Sequence, residues 1–577
     1  RSLRPVARTR CREATVRIGS SLLLLAVAIA FVLYELEYGL EPSAPPKVYG
    51  RLGQSGNIST LESFSIIPNH DGDHQHSEEE HEDHQHSEEE HEDHQHSEVE
   101  HEDHQHSEVE HEDHQHSEEE HEDHQRDDHG HSHSAGTYHH AAAVTDSESC
   151  SGAARDVLGI GGSVVDAGVA AVLCLAVVHP HTVSLGGTFS SIYFNGTSQN
   201  ASVLSTIPME PSPTSYGIPT VLQGLWSLHR EHGRKRWSEL FSHAIILARQ
   251  GFLVDHSLHA ALEENGMKAS SSQGLRGLFY DQNVLRKVGD KVRNMQLGNT
   301  LEMAQTMRDS SLPSGLVHNL LSDIEVTDRE SFHKALSRVD PRSEEPTGLH
   351  LDGLTLYSSS APTAGVILTN SVQGVYESHG DKAPATISDH LISVSKTMYT
   401  LASMWPPDIH LARVRGPWDS APVGSSVLVA DTSGDVLVIS LTLNSTFGSG
   451  FVAPSTGILL SDFVHGVADV APASLSFWAC PSVLLYEADN DVMGLGGRGG
   501  SSLPFSVARV LLHHVLLQMD LTESMNGTDL TPAAPDPWLR YFGALVGAPQ
   551  NVMAIEVRAE HVHVASAQDG SCHPAGL

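Results

Sequence analysis

Positive charge is scarce in this chain: 34 Lys and Arg stand against 73 Asp and Glu, a formal net charge of -39 over 577 residues. That balance repels a phosphate backbone and excludes a nucleic-acid partner. Cysteine is scarce too, with Cys11, Cys150, Cys174, Cys480 and Cys572 making five in all, too few for a fold built on a disulfide framework. Aromatic residues are 6% of the chain, and one long tract has none. From Asp73 the decapeptide DHQHSEEEHE recurs at 83, 93, 103 and 113, with Val for Glu at 99 and 109 and a partial copy from Asp123 to Gln125. Without aliphatic or aromatic core formers beyond those valines, the tract cannot offset its ordering entropy, and the expectation is a disordered acidic stalk. Most of the excess negative charge sits there, so the rest of the chain is much nearer neutral.

Histidines spaced two apart with carboxylates nearby can hold Zn or Cu. His74, His76 and His81 are therefore weak candidate ligands. The same imidazoles change charge near pH 6, and the plain alternative is a solvated spacer with no fixed chemistry. A flexible tract lacks the preorganised shells of a dedicated site, so no metal is assigned to the fold and no cofactor is expected.

Long aliphatic runs are few. Ile18 to Tyr34, IGSSLLLLAVAIAFVLY, is uncharged, preceded by Arg1, Arg4, Arg8, Arg10, Arg12 and Arg17 and followed by Glu35, Glu37 and Glu41. It is at the short end for a bilayer span, yet longer than an ordinary signal-peptide core and without an A-x-A cleavage site near its end. With the arginines on its N-terminal side, the expectation is a type II single-pass anchor: residues 1–17 cytoplasmic, 18–34 in the membrane, and the stalk 35–134 and all that follows lumenal or extracellular. The N-x-S/T sequons at Asn57, Asn195, Asn200, Asn444 and Asn526 suit that setting.

Pro422 to Gly450 reads PVGSSVLVADTSGDVLVISLTLNSTFGSG. Its β-branched runs Val427–Ala430 and Val436–Leu443 flank the turn formers Asp431 to Gly434 and predict two strands joined by a short loop. Elsewhere, ESCSGAARDVLGIGGSVVDAGVAAVLCLAVVHPHTVSLGG around Cys150 predicts a helix, a glycine turn and a second helix over Val164–Val178. That helix is apolar enough to be buried on most sides. Ile218 to Val254, Ser360 to Asn370 (SAPTAGVILTN) and Gly496 to Ser501 (GGRGGS) complete the motif set.

These motifs together resemble the γ-glutamyltransferase (glutathione hydrolase) family, and in particular its membrane-bound members, from about Ser147 to the C-terminus. The resemblance implies an α+β, four-layer αββα fold of the N-terminal nucleophile hydrolase type, with residues 135–423 as large-chain part and 424–577 as small-chain part. In active relatives a Thr cuts the chain before itself, giving a heterodimer from one precursor. It then attacks the γ-glutamyl carbonyl with its freed amine as base. The register of Gly434, Asn444, Phe447, Gly448 and Ser449 puts Gly424 at that Thr position.

Glycine has no hydroxyl, and strand alternation turns Ser425 to the opposite face. Two readings stay open: an inert site in an uncut chain, or Ser425 as substitute nucleophile served by an oxyanion hole at Gly499 and Gly500. The resemblance also implies substrate contacts by Asn444 and Asp462 and a Cys150–Cys174 disulfide. It marks departures as well. Ile207 to Pro211 (IPMEP) stands where the family carries an Arg that grips the substrate carboxylate, and Phe477 and Trp478 replace its Ser-Ser pair. Loss of a bidentate Arg–carboxylate bond weakens glutathione binding. Function is thus expected to be either hydrolysis or transfer of the γ-glutamyl group of glutathione and related compounds, or a catalytically silent membrane scaffold.

Overall fold

In a computed structural model of the chain, the described residues are 136–208, 212–379, 424–464, 477–500, 503–525, 552–566 and 572–577. The expected anchor, the stalk with His74, His76 and His81, and the sequons Asn57 and Asn526 lie outside them. Among the described residues no helix is long and apolar enough to cross a membrane.

Two seven-stranded antiparallel sheets form the centre. One runs, in spatial order, His573–Gly576, Ala141–Thr145, Ser425–Asp431, Val436–Thr442, Thr188–Asn195, Asn200–Ser205, Arg342–Glu344. The other runs Thr137–Tyr138, His561–Ser566, Val552–Arg558, Val492–Gly497, Ser482–Tyr486, Leu354–Ser358, Thr347–Leu351. Strands from before and after position 424 interleave in both sheets, so neither part of the chain has a complete sheet alone.

The expected hairpin is present as Ser425–Asp431 and Val436–Thr442, with Ser425 opposite Leu441 and Ser426 opposite Ser440. Period-two alternation sorts its side chains between two cores. Val427, Val429, Leu437 and Ile439 join the core under one helical layer. Leu428, Ala430, Val436 and Val438 meet Val483, Leu485, Val492 and Ile555 of the other sheet. A third core lies beyond that second sheet, where helices Gly365–His379 and Leu503–Leu517 contribute Leu368, Val372, Val507 and Leu511 against Leu484 and Leu495. Helix, sheet, sheet, helix is therefore the order of layers.

Helix Val164–Val178 is buried along its whole length, which an amphipathic surface helix never is. It starts at a capping box: Asp166 N donates to Ser163 Oγ (3.2 Å), and Ser163 N donates to Asp166 Oδ2 (2.9 Å). The backbone N–H groups of Arg234 and Lys235 add two more bonds to that oxygen, each 2.9 Å. Burial opposes the Asp166 charge, but His229 and these backbone donors outweigh it and hold the carboxyl below its usual range. The Cys150–Cys174 disulfide ties this helix to its neighbour Glu148–Gly159; Cys480 and Cys572 are not joined to each other.

Candidate functional site

The hairpin strand reaches the edge of the described structure at Gly424. Its φ is +83°, and a Cβ built there would lie 2.5 Å from Leu441 O. The position has no hydroxyl and, in this backbone conformation, no room for one. The next two serines face opposite ways. Ser426 Oγ, fully buried between the sheets, donates to Gly497 O (2.6 Å), accepts from Gly497 N (3.1 Å) and lies 3.0 Å from Ser440 Oγ. Its hydrogen-bonding capacity is spent on tying the two sheets together. Ser425 Oγ donates to Asp146 Oδ2 (2.5 Å), with both residues buried. The other Asp146 oxygen has no hydrogen-bond partner among the described residues.

Gly424 and Ser425 line a cavity together with Thr442, Asn444, Phe477, Trp478, Ala479 and Gly499. About 30 Å³ of it is open to the centre of a water molecule, room for one or two waters. The aromatic pair forms its apolar wall. Ile207, first of the Ile207–Pro211 segment that stands where the family resemblance expects an Arg, packs its side chain with Phe463, Phe477 and Ala479; Met209, Glu210 and Pro211 lie outside the described residues. On this side the described wall is apolar. Gly499 sits on the cavity with φ +141°. Gly500 does not line it, and a Cβ there would meet nothing within 4 Å.

Asn444 and Asp462 come together, but they bind each other. Asn444, exposed and at φ +74°, donates its amide to Asp462 Oδ1 (3.3 Å) and to Asp462 O (3.4 Å). Ser445 Oγ donates to Asp462 Oδ2 (2.5 Å). Lys268, a residue with no sequence signal of its own, donates through Nζ to that same Ser445 Oγ (3.2 Å) and to Thr446 O (3.0 Å). Half-burial lowers the Lys268 pKa, and the Asp462 charge opposes that shift. Asp462, expected as a substrate contact, therefore already faces a cation of its own chain, one hydroxyl away.

The loop over Asn444–Ser449 rests on a histidine pair that sequence reasoning did not single out. Phe447 N donates to His181 O (3.0 Å), and the two rings lie 6.2 Å apart. His179 Nε2 is hydrogen-bonded to Asp255 Oδ2. Burial works against the Asp255 charge, but the His179 bond and charge prevail and hold the carboxyl well below its ordinary value. Burial, reinforced by the charges of His179 and Arg498 and opposed by that of Asp255, pushes the His181 pKa well down. Arg498, inside the glycine run, is buried and was likewise not singled out by sequence reasoning. Among the described residues no three His, Cys, Asp or Glu side chains group as a metal site. Of the described sequons, Asn200 is exposed, and Asn195 is half-buried with its amide donated to Tyr193 OH (3.1 Å).

The gamma-glutamyltranspeptidase family pattern matches residues 150–421 and 410–536. Glutathione hydrolase 6 of Bos taurus is 32% identical over 446 residues, covering 77% of this chain and 80% of that protein. Its Mus musculus counterpart is 31% identical over 454 residues, covering 77% and 79%. Among solved structures, cephalosporin acylase from Bacillus halodurans superposes with a TM-score of 0.61 at 16% identity, over 76% of this chain and 96% of that one, a likeness of fold. Within the family the motif combination resembles the membrane-bound glutathione hydrolase 7, a finer assignment that these relatives do not carry. Family pattern, identity over most of the chain and shared fold agree: this chain belongs to the gamma-glutamyltranspeptidase family.

Proposed function

We propose that this chain is a catalytically silent member of the glutathione-processing family, a binding protein that keeps the fold and has lost turnover of the γ-glutamyl group. The observation that carries the reading is Gly424. The nucleophile position holds a residue at φ +83° whose Cβ slot is blocked by Leu441 O at 2.5 Å. Without a side-chain hydroxyl at the head of that strand there is no self-cleavage, no freed α-amine and no acyl intermediate. The chain stays whole, in contrast to the two-chain products of active relatives. The altered surroundings agree: an aromatic wall replaces the polar carboxylate site, and Lys268 balances Asp462. The sequence supports a type II anchor at 18–34 that holds the domain on the lumenal or extracellular side, with the acidic stalk as spacer.

One observation favours a second reading, hydrolysis or transfer of the γ-glutamyl group of glutathione through Ser425. That hydroxyl lines the cavity and donates to a buried carboxylate with a spare oxygen, the pairing a general base needs. Two measurements separate the readings: the mass of the deglycosylated, reduced protein from a secretory host, and its release of glutamate from glutathione. A single uncut mass without turnover is expected. A fragment beginning at Gly424, Ser425 or Ser426, or turnover that Ser425→Ala abolishes, would replace the silent reading with the catalytic one.

A further inference from the structure

A second cavity, larger than the one at Gly424, opens beside the edge strand Arg342–Glu344. About 210 Å³ of it is open to water centres, against about 30 Å³ at Gly424. Its walls are Ile207, Pro208, Ile218 and Val339, and its charged groups are Arg338, Asp340 and Arg342. Ile207 lines this cavity and packs its side chain against Phe477 and Ala479, which line the smaller one, while its carbonyl takes the Arg342 guanidinium.

We infer that this second cavity binds a small monocarboxylate with an apolar body, held by Arg342. The half-buried guanidinium makes one hydrogen bond, from Nη2 to Ile207 O at 3.4 Å, at the long limit for such a bond. Among the described residues no carboxylate stands within ion-pair distance of it, Asp340 included. An Arg presents five donors in a planar fork that matches a carboxylate bidentately. The wall hydroxyls offer no competing donor: Thr220 Oγ1 lies 2.9 Å from Thr206 Oγ1 and is shared with Gly187 O, and Thr206 Oγ1 is further engaged by Phe189. Charge recognition therefore rests on Arg342, and much of the remaining wall is aliphatic, which suits a hydrocarbon body. Asp340, exposed at the rim, disfavours a second negative charge, so a monocarboxylate is selected over a dicarboxylate or phosphate.

The test is heat denaturation of the full chain at constant ionic strength with phenylacetate, its neutral amide phenylacetamide, and inorganic phosphate. Phenylacetate should raise Tm in a concentration-dependent way while the amide and phosphate do not. Arg342→Gln should weaken phenylacetate binding at least tenfold, and Val339→Trp, which fills the cavity and leaves the guanidinium in place, should abolish it. Equal shifts from acid and amide, from acid and phosphate, or an undiminished phenylacetate effect in both variants would overturn the assignment. Binding is read without turnover, so the outcome is independent of whether the site at Gly424 is silent.

Discussion

Restoring the family's hydroxyl with Gly424→Thr should damage the protein instead of reviving it. A residue with a Cβ held in the left-handed region costs about 1–2 kcal/mol. The added atom would sit 2.5 Å from Leu441 O, inside the 3.0 Å below which Cβ contacts are essentially never found, and forcing apart a well-packed site costs about 1–3 kcal/mol more. The expected loss is about 2–5 kcal/mol, a large share of a typical domain's 5–15 kcal/mol. Because the clash belongs to the Cβ, Gly424→Ala should show most of it and Thr only the remainder. Urea midpoints for the wild type and both variants measure this. Protein mass and release of a chromogenic γ-glutamyl anilide report on cutting and turnover. If Gly424→Thr is as stable as the wild type, or appears as two fragments that release the anilide, then the backbone at 424 adapts to a side chain and the blocked-slot argument fails.

Asp166→Asn should cost about 2–4 kcal/mol, since charge-assisted bonds contribute roughly 1.5–3 kcal/mol each and several converge on Oδ2. Its depressed folded pKa means that Asp166 stabilises above the ordinary carboxyl range, with that contribution lost as pH falls below about 4 toward the folded value. The variant's stability should then vary less with pH than the wild type's across that window, as acid titrations of the unfolding midpoint would show. Lys268→Met removes the donor to Ser445 Oγ and Thr446 O and should cost about 1–3 kcal/mol, read from the urea midpoint; an unchanged midpoint would show that this cation does not hold the Asn444–Ser449 loop. Replacing Cys150 and Cys174 by Ser opens a link between residues 24 apart in sequence, for which the chain-entropy relation gives about 3.5 kcal/mol, measurable as a lower denaturation midpoint under non-reducing conditions.

Where contacts are local, the sequence predicts them well. The turn formers at 431–434 separate two strands that begin and end within two residues of their expected limits. The apolar run at 164–178 is a fully buried helix. Ser425 and Ser426 face opposite ways, as strand alternation requires, yet Ser425 still lines the cavity beside Gly424 with its hydroxyl on Asp146, which alternation alone did not indicate. Partners distant in the chain left no such signal. Asp146 meets Ser425 across 279 positions, Lys268 meets Ser445 across 177, and Arg342 reaches Ile207 across 135. No periodicity or spacing connects such pairs, because tertiary folding alone brings them together. At Gly424 the sequence reveals a missing hydroxyl; the positive φ and the carbonyl above it come only from the backbone.

The changes around the small cavity follow one physical logic. Gly424, Ile207, Phe477 and Trp478 each put an apolar or absent side chain where the family resemblance expects a polar one. A buried donor or cation without its ligand costs about 1–3 kcal/mol, so an empty polar substrate site is a liability to stability. Closing it with Ile207 against Phe463, Phe477 and Ala479 exchanges that cost for apolar burial, at about 25 cal/mol per Å². Ser426, Asp166 and the His179–Asp255 pair lie outside this closure and have every reason to persist, because each anchors the fold: Ser426 joins the sheets, Asp166 caps the central helix, and the histidines support the loop over Asn444–Ser449. The scaffold's polar bonds are intact where they hold the structure together, and on the Ile207, Phe477 and Trp478 side of the cavity apolar contacts stand where the family resemblance expects polar ones, the pattern on which the proposal of a silent member rests.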